Sequence, residues 1–285
     1  MNASVVDQAQ KLRELVKTKQ GIRVISVASG KGGVGKSSFS VNLAIALSRL
    51  DVRVLVIDAD FGLANVDVMM GITSKYNFNH FLLGDKTLQE IIQRGVEGVQ
   101  LISGGSGLSD LLNMGENQLE RLLSGITHLD IPVDIIILDT GAGINEKIIQ
   151  LILSSSDTIV VTTTEPTALL DAYALVKTIV KEDKSHPIHV LINKCSNQEE
   201  ARNVMTAFID FIGRHLGKNV NPLGAVMFSQ NVPGSIRRQI PIMVSDPNCP
   251  TSKEISTIAR SVMDLPAEKT STNILAKIFS RLRSN

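Results

Sequence analysis

Tryptophan is absent from this 285-residue sequence, and aromatic residues make up only 4% of it. Proteins that bind single-stranded nucleic acid stack its bases on aromatic side chains, so a protein of that kind is not indicated. The charges nearly balance, with 29 Lys and Arg against 28 Asp and Glu. A net charge of +1 gives no broad basic field, and DNA is therefore not expected as a partner.

Cysteine and long hydrophobic runs are also scarce. Cys195 and Cys249 lie far apart without CxxC spacing, which predicts a protein of the reducing cytosol. The spacing also argues against a zinc or iron–sulfur site. The five histidines are scattered and do not suggest a metal site. No apolar run follows a basic start at the N-terminus, and none reaches the length of a transmembrane helix.

The hydrophobic fraction of 43% is enough for one large α/β domain with a tail at each end. Buried strands alternate with helices from about residue 21, which predicts a doubly wound, mostly parallel sheet. We divide the chain into an N-terminal helix (1–20), the α/β domain (21–264), a linker (265–272) and a C-terminal helix (273–285).

The most informative stretch is GKGGVGKSS, residues 30–38, between a predicted strand and a predicted helix. It matches the phosphate-loop template GxxxxGK[ST]. Glycines let backbone N–H groups close around phosphate oxygens, and the start of the following helix adds a positive dipole end. Lys36 would reach the β- and γ-phosphates, and Ser37 would ligate Mg²⁺. The predicted nucleotide contacts are Gly30, Lys31, Gly32, Gly33, Val34, Gly35, Lys36, Ser37 and Ser38.

Lys31 is a second lysine inside this loop, and GKGGVGKS resembles the deviant Walker A signature of the MinD, ParA and nitrogenase-iron-protein group. The resemblance implies a P-loop NTPase of the MinD-like type that binds ATP or ADP with Mg²⁺. It also implies a homodimer formed with ATP, in which Lys31 reaches the partner's phosphates. A solvated lysine on the rim of the loop is the simpler alternative.

Three carboxylates follow predicted buried strands, at the edge where α/β sheets bind ligands. They are Asp58, Asp60 and Asp139. The resemblance implies that Asp60 positions the attacking water, Asp58 lies near the metal and Asp139 holds Mg²⁺ as the Walker B residue. A loop aspartate that caps the next helix is the alternative for the first two. Gly141 in DTGAG would place its N–H near the γ-phosphate.

Asn193, at the end of a predicted strand in INKC, is implied by the same resemblance to contact the adenine edge, unless it only turns the chain. Residues 229–243 are expected to close over the nucleotide. The predicted helix that begins with EPTALLDAY carries the small residues Ala168, Ala172 and Ala174, which fit either a dimer face or core packing. Arg202, Arg237 and Arg238 form a candidate basic patch, weighed against an ordinary solvated surface.

Both termini carry short amphipathic patterns. DQAQKLR, residues 7–13, together with DTGAG and EPTALLDAY, resembles the FlhG family of MinD-like flagellar regulators, also called FleN and YlxH. The resemblance implies that residues 1–20 stimulate a GTPase of the FlhF type, against a merely solvated leader helix. The residues expected to contact that partner are Asp7, Gln8, Leu12 and Arg13.

The C-terminal stretch NILAKIFSRLRSN, residues 273–285, places apolar residues on one helical face and basic residues off it. This pattern fits an anchor on an anionic membrane surface, or a helix that packs on its own domain. The predicted lipid contacts are Ile274, Leu275, Ile278, Phe279 and Leu282.

Together these features predict a cytoplasmic ATPase, peripherally bound to the inner face of the cell membrane, that regulates the number or placement of flagella. The implied partners are an FlhF-like GTPase and flagellar switch or C-ring components. Two alternatives are a ParA-like DNA-partitioning ATPase and a nucleotide-binding scaffold that does not hydrolyse ATP.

Overall fold

A computed structural model describes residues 22–60, 65–104 and 132–264 of the chain. The predicted helices at 1–20 and 273–285 and the linker at 265–272 lie outside these residues. So do their partner and membrane contacts: Asp7, Gln8, Leu12, Arg13, Ile274, Leu275, Ile278, Phe279 and Leu282. So does the stretch 108–129, which its apolar spacing predicts to be mostly helical.

Within the described ranges, eight strands form one sheet in the order β3-β4-β2-β5-β1-β6-β7-β8. They are β1 (Arg23–Ser29), β2 (Val54–Ala59), β3 (Gln93–Arg94), β4 (Gln100–Ile102), β5 (Ile135–Ala142), β6 (Asp157–Thr163), β7 (Ile188–Cys195) and β8 (Asn221–Met227). All neighbouring pairs are parallel except β3 with β4, which are antiparallel. The prediction of a doubly wound, mostly parallel sheet is confirmed.

The helices cover both faces of this sheet. Numbered along the described residues, they are α1 (Lys36–Ser48), α2 (Val66–Met69), α3 (Phe78–Leu83), α4 (Leu88–Ile91), α5 (Glu146–Ser154), α6 (Pro166–Glu182), α7 (Gln198–Leu216), α8 (Asn231–Arg237), α9 (Ile242–Ser245) and α10 (Pro250–Asp264). None of the helices in the described ranges is long and apolar enough to cross a membrane. The apolar pattern after the phosphate loop predicts a helix that begins at Phe39. α1 begins three residues earlier, at Lys36, directly after Gly35.

The alternation of buried side chains along β1 explains how the layers are held together. Ile25 and Val27 face a cluster that includes α1 and α10, whereas Val24 and Ala28 face clusters built with helices on the opposite side. All seven residues of β1 are buried, as expected for a central strand covered on both faces. β1 therefore fixes the start of the phosphate loop rigidly in the middle of the sheet.

Two of the three small residues Ala168, Ala172 and Ala174 belong to this core. Ala168 and Ala172 on α6 are 2% and 0% exposed and pack in two hydrophobic clusters on either side of the sheet. Of the two roles left open for these small residues, the structure assigns core packing to Ala168 and Ala172.

Candidate nucleotide-binding site

The phosphate loop follows β1 and leads into α1, as the sequence predicts. Gly35 has φ 93°, in the left-handed region, and an added β-carbon there would lie 2.4 Å from the amide nitrogen of Asn193. Gly30 is required for a different reason, because its β-carbon would lie 2.2 Å from the carbonyl oxygen of Asp171 on α6. The loop is thus held between α6 at its start and the end of β7 at its far side.

Lys36 is the first residue of α1 and forms a buried ion pair with Asp139 on the neighbouring strand β5. Its Nζ lies 3.0 Å from Oδ1 of Asp139, and the two side chains are 7% and 0% exposed. The Ser40 hydroxyl donates to the same oxygen at 2.7 Å. The predicted Walker A lysine and Walker B aspartate therefore meet, and Ser40 completes the contact.

The donor set at this point fits a magnesium ion. Oδ2 of Asp139 is buried without a hydrogen-bond partner among the described residues, and the Ser37 hydroxyl lies 3.4 Å from Nζ of Lys36. In the three described ranges no group of three or more His, Cys, Asp and Glu side chains is arranged to hold a metal. A magnesium ion held by one hydroxyl, one carboxylate, waters and substrate phosphates needs no such group.

Asp58 is the penultimate residue of β2 and lies beside Asp139, since the two residues are partners in the parallel register. Its carboxylate accepts the backbone N–H groups of Asp60, Asn65 and Val66 at 3.2, 2.8 and 3.1 Å. Burial raises the pKa of Asp58 to about 6, with a further contribution from Asp139, against the opposing effect of these backbone N–H groups. Asp58 thus caps α2, as the alternative reading held, and its metal role stays a prediction.

Asp60 and Gly141 lie close together. A β-carbon at Gly141 would lie 3.5 Å from Oδ1 of Asp60, so the carboxylate faces the end of β5. Asp60 also lines the cleft beside the phosphate loop. The predicted water-positioning residue and the predicted γ-phosphate contact are therefore neighbours, although no described contact tests either role.

Asn193 contacts the phosphate loop directly. Its amide nitrogen donates to the carbonyl oxygen of Val34 at 2.8 Å, and the ammonium group of Lys194 donates to the carbonyl oxygen of Gly33 at 2.7 Å. The predicted contact of Asn193 with adenine stays a prediction. An amide nitrogen carries two hydrogens, so the bond to Val34 does not exhaust its capacity.

Lys31 points away from this centre, toward the start of α6. Its Nζ lies 3.2 Å from Oε2 of Glu165 and 2.9 Å from the hydroxyl of Thr167. The side chains of Lys31 and Glu165 are 39% and 68% exposed. Lys31 is therefore an exposed cation on the rim of the loop, distinct from the buried Lys36.

A cleft of about 670 Å³ opens in front of the loop. Its lining includes the following predicted contacts: Gly32, Gly33, Gly35, Lys36, Ser37, Ser38, Asp60 and Asn193. Phe228, Val232 and Ile236 from the segment after β8 form the opposite wall, which agrees with the expectation that residues 229–243 cover the site. Six predicted residues do not line it: Gly30, Lys31, Val34, Asp58, Asp139 and Gly141.

Sequence reasoning missed two residues of this site, Ser40 and Lys194. Ser40 lies one helical turn after Lys36, and that spacing places both side chains on the face turned toward Asp139. Lys194 directly follows the predicted Asn193. A signal was therefore present for each residue, but neither belongs to the phosphate-loop template.

The central parallel sheet, the phosphate loop after β1 and the paired lysine and aspartate define a P-loop nucleotide-binding protein. The model of the ParA family, described as NUBPL iron-transfer P-loop NTPase, matches residues 21–263. A solved structure of the septum site-determining protein MinD with Mg-ADP from Pyrococcus horikoshii has the same fold. It superposes with a TM-score of 0.69 at 23% identity, over 85% of this chain and 96% of its own.

Two relatives of known name are more similar in sequence. The antiactivator FleN of Pseudomonas aeruginosa is 30% identical over 245 residues, which cover 86% of this chain and 88% of FleN. The flagellum site-determining protein YlxH of Helicobacter pylori is 34% identical over 244 residues, or 85% of this chain and 82% of YlxH. The chain belongs to the ParA family of P-loop NTPases and, within it, to the FlhG group that includes FleN and YlxH.

Proposed function

We propose that this chain is an ATP-dependent switch that dimerises, hydrolyses ATP and regulates the number or placement of flagella. The observation that carries the proposal is a complete phosphate loop with a second, exposed lysine, Lys31, on its rim. The flagellar role is supported by the names of the relatives, an antiactivator and a flagellum site-determining protein.

The chemistry is phosphoryl transfer from ATP to water. The loop N–H groups and Lys36 hold the phosphate charge, and Asp60 orients the water. Ser37 and Asp139 would hold Mg²⁺, with Asp58 nearby. When bound, that ion neutralises the charge that develops on the phosphate oxygens. Gly141, whose added β-carbon would lie 3.5 Å from Oδ1 of Asp60, would place its N–H near the γ-phosphate and so sense its loss.

Lys31 acts on a neighbouring molecule. Its own chain offers it Glu165 and Thr167 rather than the phosphate cleft, which it does not line. An exposed ion pair of this kind contributes only about 0–1 kcal/mol, so phosphates of a second copy can compete for the ammonium group. Dimerisation with ATP would then complete two sites at once.

The proposal is tested by measuring mass in solution and phosphate release with ATP and with ADP. Lys31→Ala is expected to abolish both ATP-dependent dimerisation and turnover. Asp60→Ala is expected to dimerise with ATP but to stop turnover. Unchanged dimerisation and turnover in Lys31→Ala would refute the role in trans. If Asp60→Ala and wild type both show no turnover, the chain is a nucleotide-binding scaffold instead.

The two tails would carry the output of the switch. Residues 273–285 would bind an anionic membrane when a dimer presents two copies, because two weak anchors gain by avidity. Liposome sedimentation with ATP and with ADP tests this, and a chain ending at residue 272 should stay in solution. Equal sedimentation of both chains would remove the anchor.

Residues 1–20 would stimulate an FlhF-like GTPase, and flagellar switch or C-ring components are further proposed partners. The test is GTP hydrolysis by the GTPase with the full chain and with a chain starting at residue 21. Stimulation by both to the same degree would contradict the assignment.

A ParA-like DNA-partitioning role is the alternative. Arg237 and Arg238 are exposed and Arg237 lines the cleft, so two of the three residues of the candidate basic patch lie at or next to the site. That function predicts salt-sensitive binding to any duplex that does not need residues 273–285. Our proposal predicts no ATP-dependent binding of a random duplex at physiological salt.

A further inference from the structure

The end of β7 holds the outer side of the phosphate loop through two consecutive residues. Asn193 donates to the carbonyl oxygen of Val34, and Lys194 donates to that of Gly33, at 2.8 and 2.7 Å. Two neighbouring carbonyl groups of the loop are thereby fixed on the side facing β7. Gly35 leaves no room for a side chain against this contact, since its β-carbon would lie 2.4 Å from the Asn193 amide.

The orientation of these carbonyl groups determines where the next N–H groups point. In a planar trans peptide the C=O of one residue and the N–H of the next point in opposite directions. Fixing the carbonyl groups of Gly33 and Val34 toward β7 therefore turns the N–H groups of Val34 and Gly35 away from β7. Backbone N–H groups turned outward in this way are the donors that a phosphate loop offers to its ligand.

Lys194 adopts a backbone conformation that disfavours its side chain. Its φ is 58°, in the left-handed region, where a residue with a β-carbon is strained. Its N–H donates to Oδ1 of Asn193 at 2.9 Å, so the turn also orients the Asn193 amide. Glycine would fit this backbone without strain. The long cationic side chain at such a position is explained by the bond that it makes to Gly33.

We propose that Lys194 is a positioning residue for nucleotide binding: with Asn193 it fixes the phosphate loop in its binding shape, independently of the base. The inference rests on the proposed function only in that the loop binds a nucleotide. It gives Asn193 a second task beside the predicted adenine contact. It also predicts that part of the affinity for phosphate comes from residues at the end of β7 rather than from the loop itself.

The experiment compares binding of Mg-ATP with binding of inorganic tripolyphosphate, which has no base or sugar. Lys194→Met keeps the side-chain stem and removes the charge and the donors. We expect it to weaken both ligands by the same factor of about ten. Lys184→Met, an exposed lysine before the other end of β7, is the matched control and should bind both ligands like wild type.

Two further variants separate positioning from folding. Lys194→Gly removes the side chain and relieves the left-handed backbone, so it should unfold in urea no earlier than wild type and still bind both ligands about tenfold more weakly. Lys194→Arg retains a cationic donor and should recover part of the affinity. Unchanged binding in Lys194→Gly, or loss of ATP binding with tripolyphosphate unaffected, would overturn the proposal. Because binding is measured without turnover, a failure to hydrolyse ATP would count against the proposed function and not against Lys194.

Discussion

Two buried ion pairs lie at opposite ends of the sheet, and they have different surroundings. Lys36 and Asp139 meet beside the cleft, where the parallel strands end. Arg23 and Asp157 meet where β1 and β6 begin. In both pairs the side chains are less than a tenth exposed, and in both one carboxylate oxygen has no hydrogen-bond partner within the described part of the chain.

The neighbours of each carboxylate distinguish the two sites. Asp157 is bound by the Arg23 guanidinium, and Nε2 of His189 lies 3.5 Å away from its carboxylate. Arg23 also donates to the carbonyl oxygen of Val262 at 2.6 Å and so ties α10 to the sheet. Asp139 is surrounded by one ammonium group and a hydroxyl, with Ser37 and the cleft in front. An unpaired buried oxygen therefore indicates a metal only where further oxygen ligands and an opening accompany it.

The largest effect is expected from breaking the pair of Arg23 and Asp157, which lies away from the cleft. Arg23→Met leaves the Asp157 carboxylate buried without its main partner, which costs about 3–5 kcal/mol of unfolding free energy. Urea unfolding measures this cost, and the folded variant should bind nucleotide like wild type. The double variant Arg23→Met with Asp157→Leu should recover most of the loss. A loss below about 1 kcal/mol in the single variant would show that the pair does not hold the sheet.

Breaking the pair of Lys36 and Asp139, beside the cleft, should affect turnover most. Asp139→Asn removes the carboxylate that Lys36 and the metal would share, and ATP turnover should fall by a factor of about 100 or more. Steady-state phosphate release measures this. The double variant Lys36→Met with Asp139→Leu should regain stability without regaining turnover. Turnover within tenfold of wild type in Asp139→Asn would remove Asp139 from the mechanism.

A smaller effect is expected from Ser40, whose hydroxyl lies 2.7 Å from Oδ1 of Asp139. Ser40→Ala removes a hydrogen bond to a charged group, so stability should fall by about 1.5–3 kcal/mol and turnover by roughly tenfold. Ser48→Ala, at the end of the same helix, loses an exposed bond to the carbonyl of Glu97 and is the control. Equal turnover in the two variants would contradict a role for Ser40 at the site.

The residues of the nucleotide site could be predicted from the sequence far better than the pair of Arg23 and Asp157. Residues 30–38 are contiguous and form a template that is set by local backbone geometry, and an apolar run marks the strand before Asp139. The partners Arg23 and Asp157 are 134 positions apart and meet only through the register between β1 and β6. Lys194 was missed because its bond to the loop depends on a left-handed backbone, which its position after the predicted Asn193 does not specify. Contacts of high sequence separation follow from tertiary packing, which a pattern of residue types does not encode.

The ion pair of Arg23 and Asp157 should also affect how stability changes in acid. Burial alone would raise the pKa of Asp157, but the neighbouring His189 and Arg23 outweigh it and hold the pKa below its usual value. A depressed pKa in the folded state contributes stability above the unfolded pKa, near 3.9, that is lost as pH falls through the folded pKa. The double variant with Met at 23 and Leu at 157 should therefore lose stability less steeply below about pH 4, by at most about 1.4 kcal/mol per pH unit. Parallel curves for wild type and the variant would contradict this sign.

The smallest effect is expected at the exposed pair of Lys31 and Glu165, which completes the comparison. The side chains are 39% and 68% exposed, so the pair contributes no more than about 1 kcal/mol. Glu165→Gln removes the carboxylate that pairs with Lys31, and the bond from Lys31 to the Thr167 hydroxyl remains. ATP-dependent self-association should strengthen by at most about fivefold, as measured by sedimentation equilibrium. Weaker association in Glu165→Gln would mean that Glu165 orients Lys31 toward the partner rather than competing with the partner for it. Lys31→Ala is the control that shows how weak self-association becomes without the lysine.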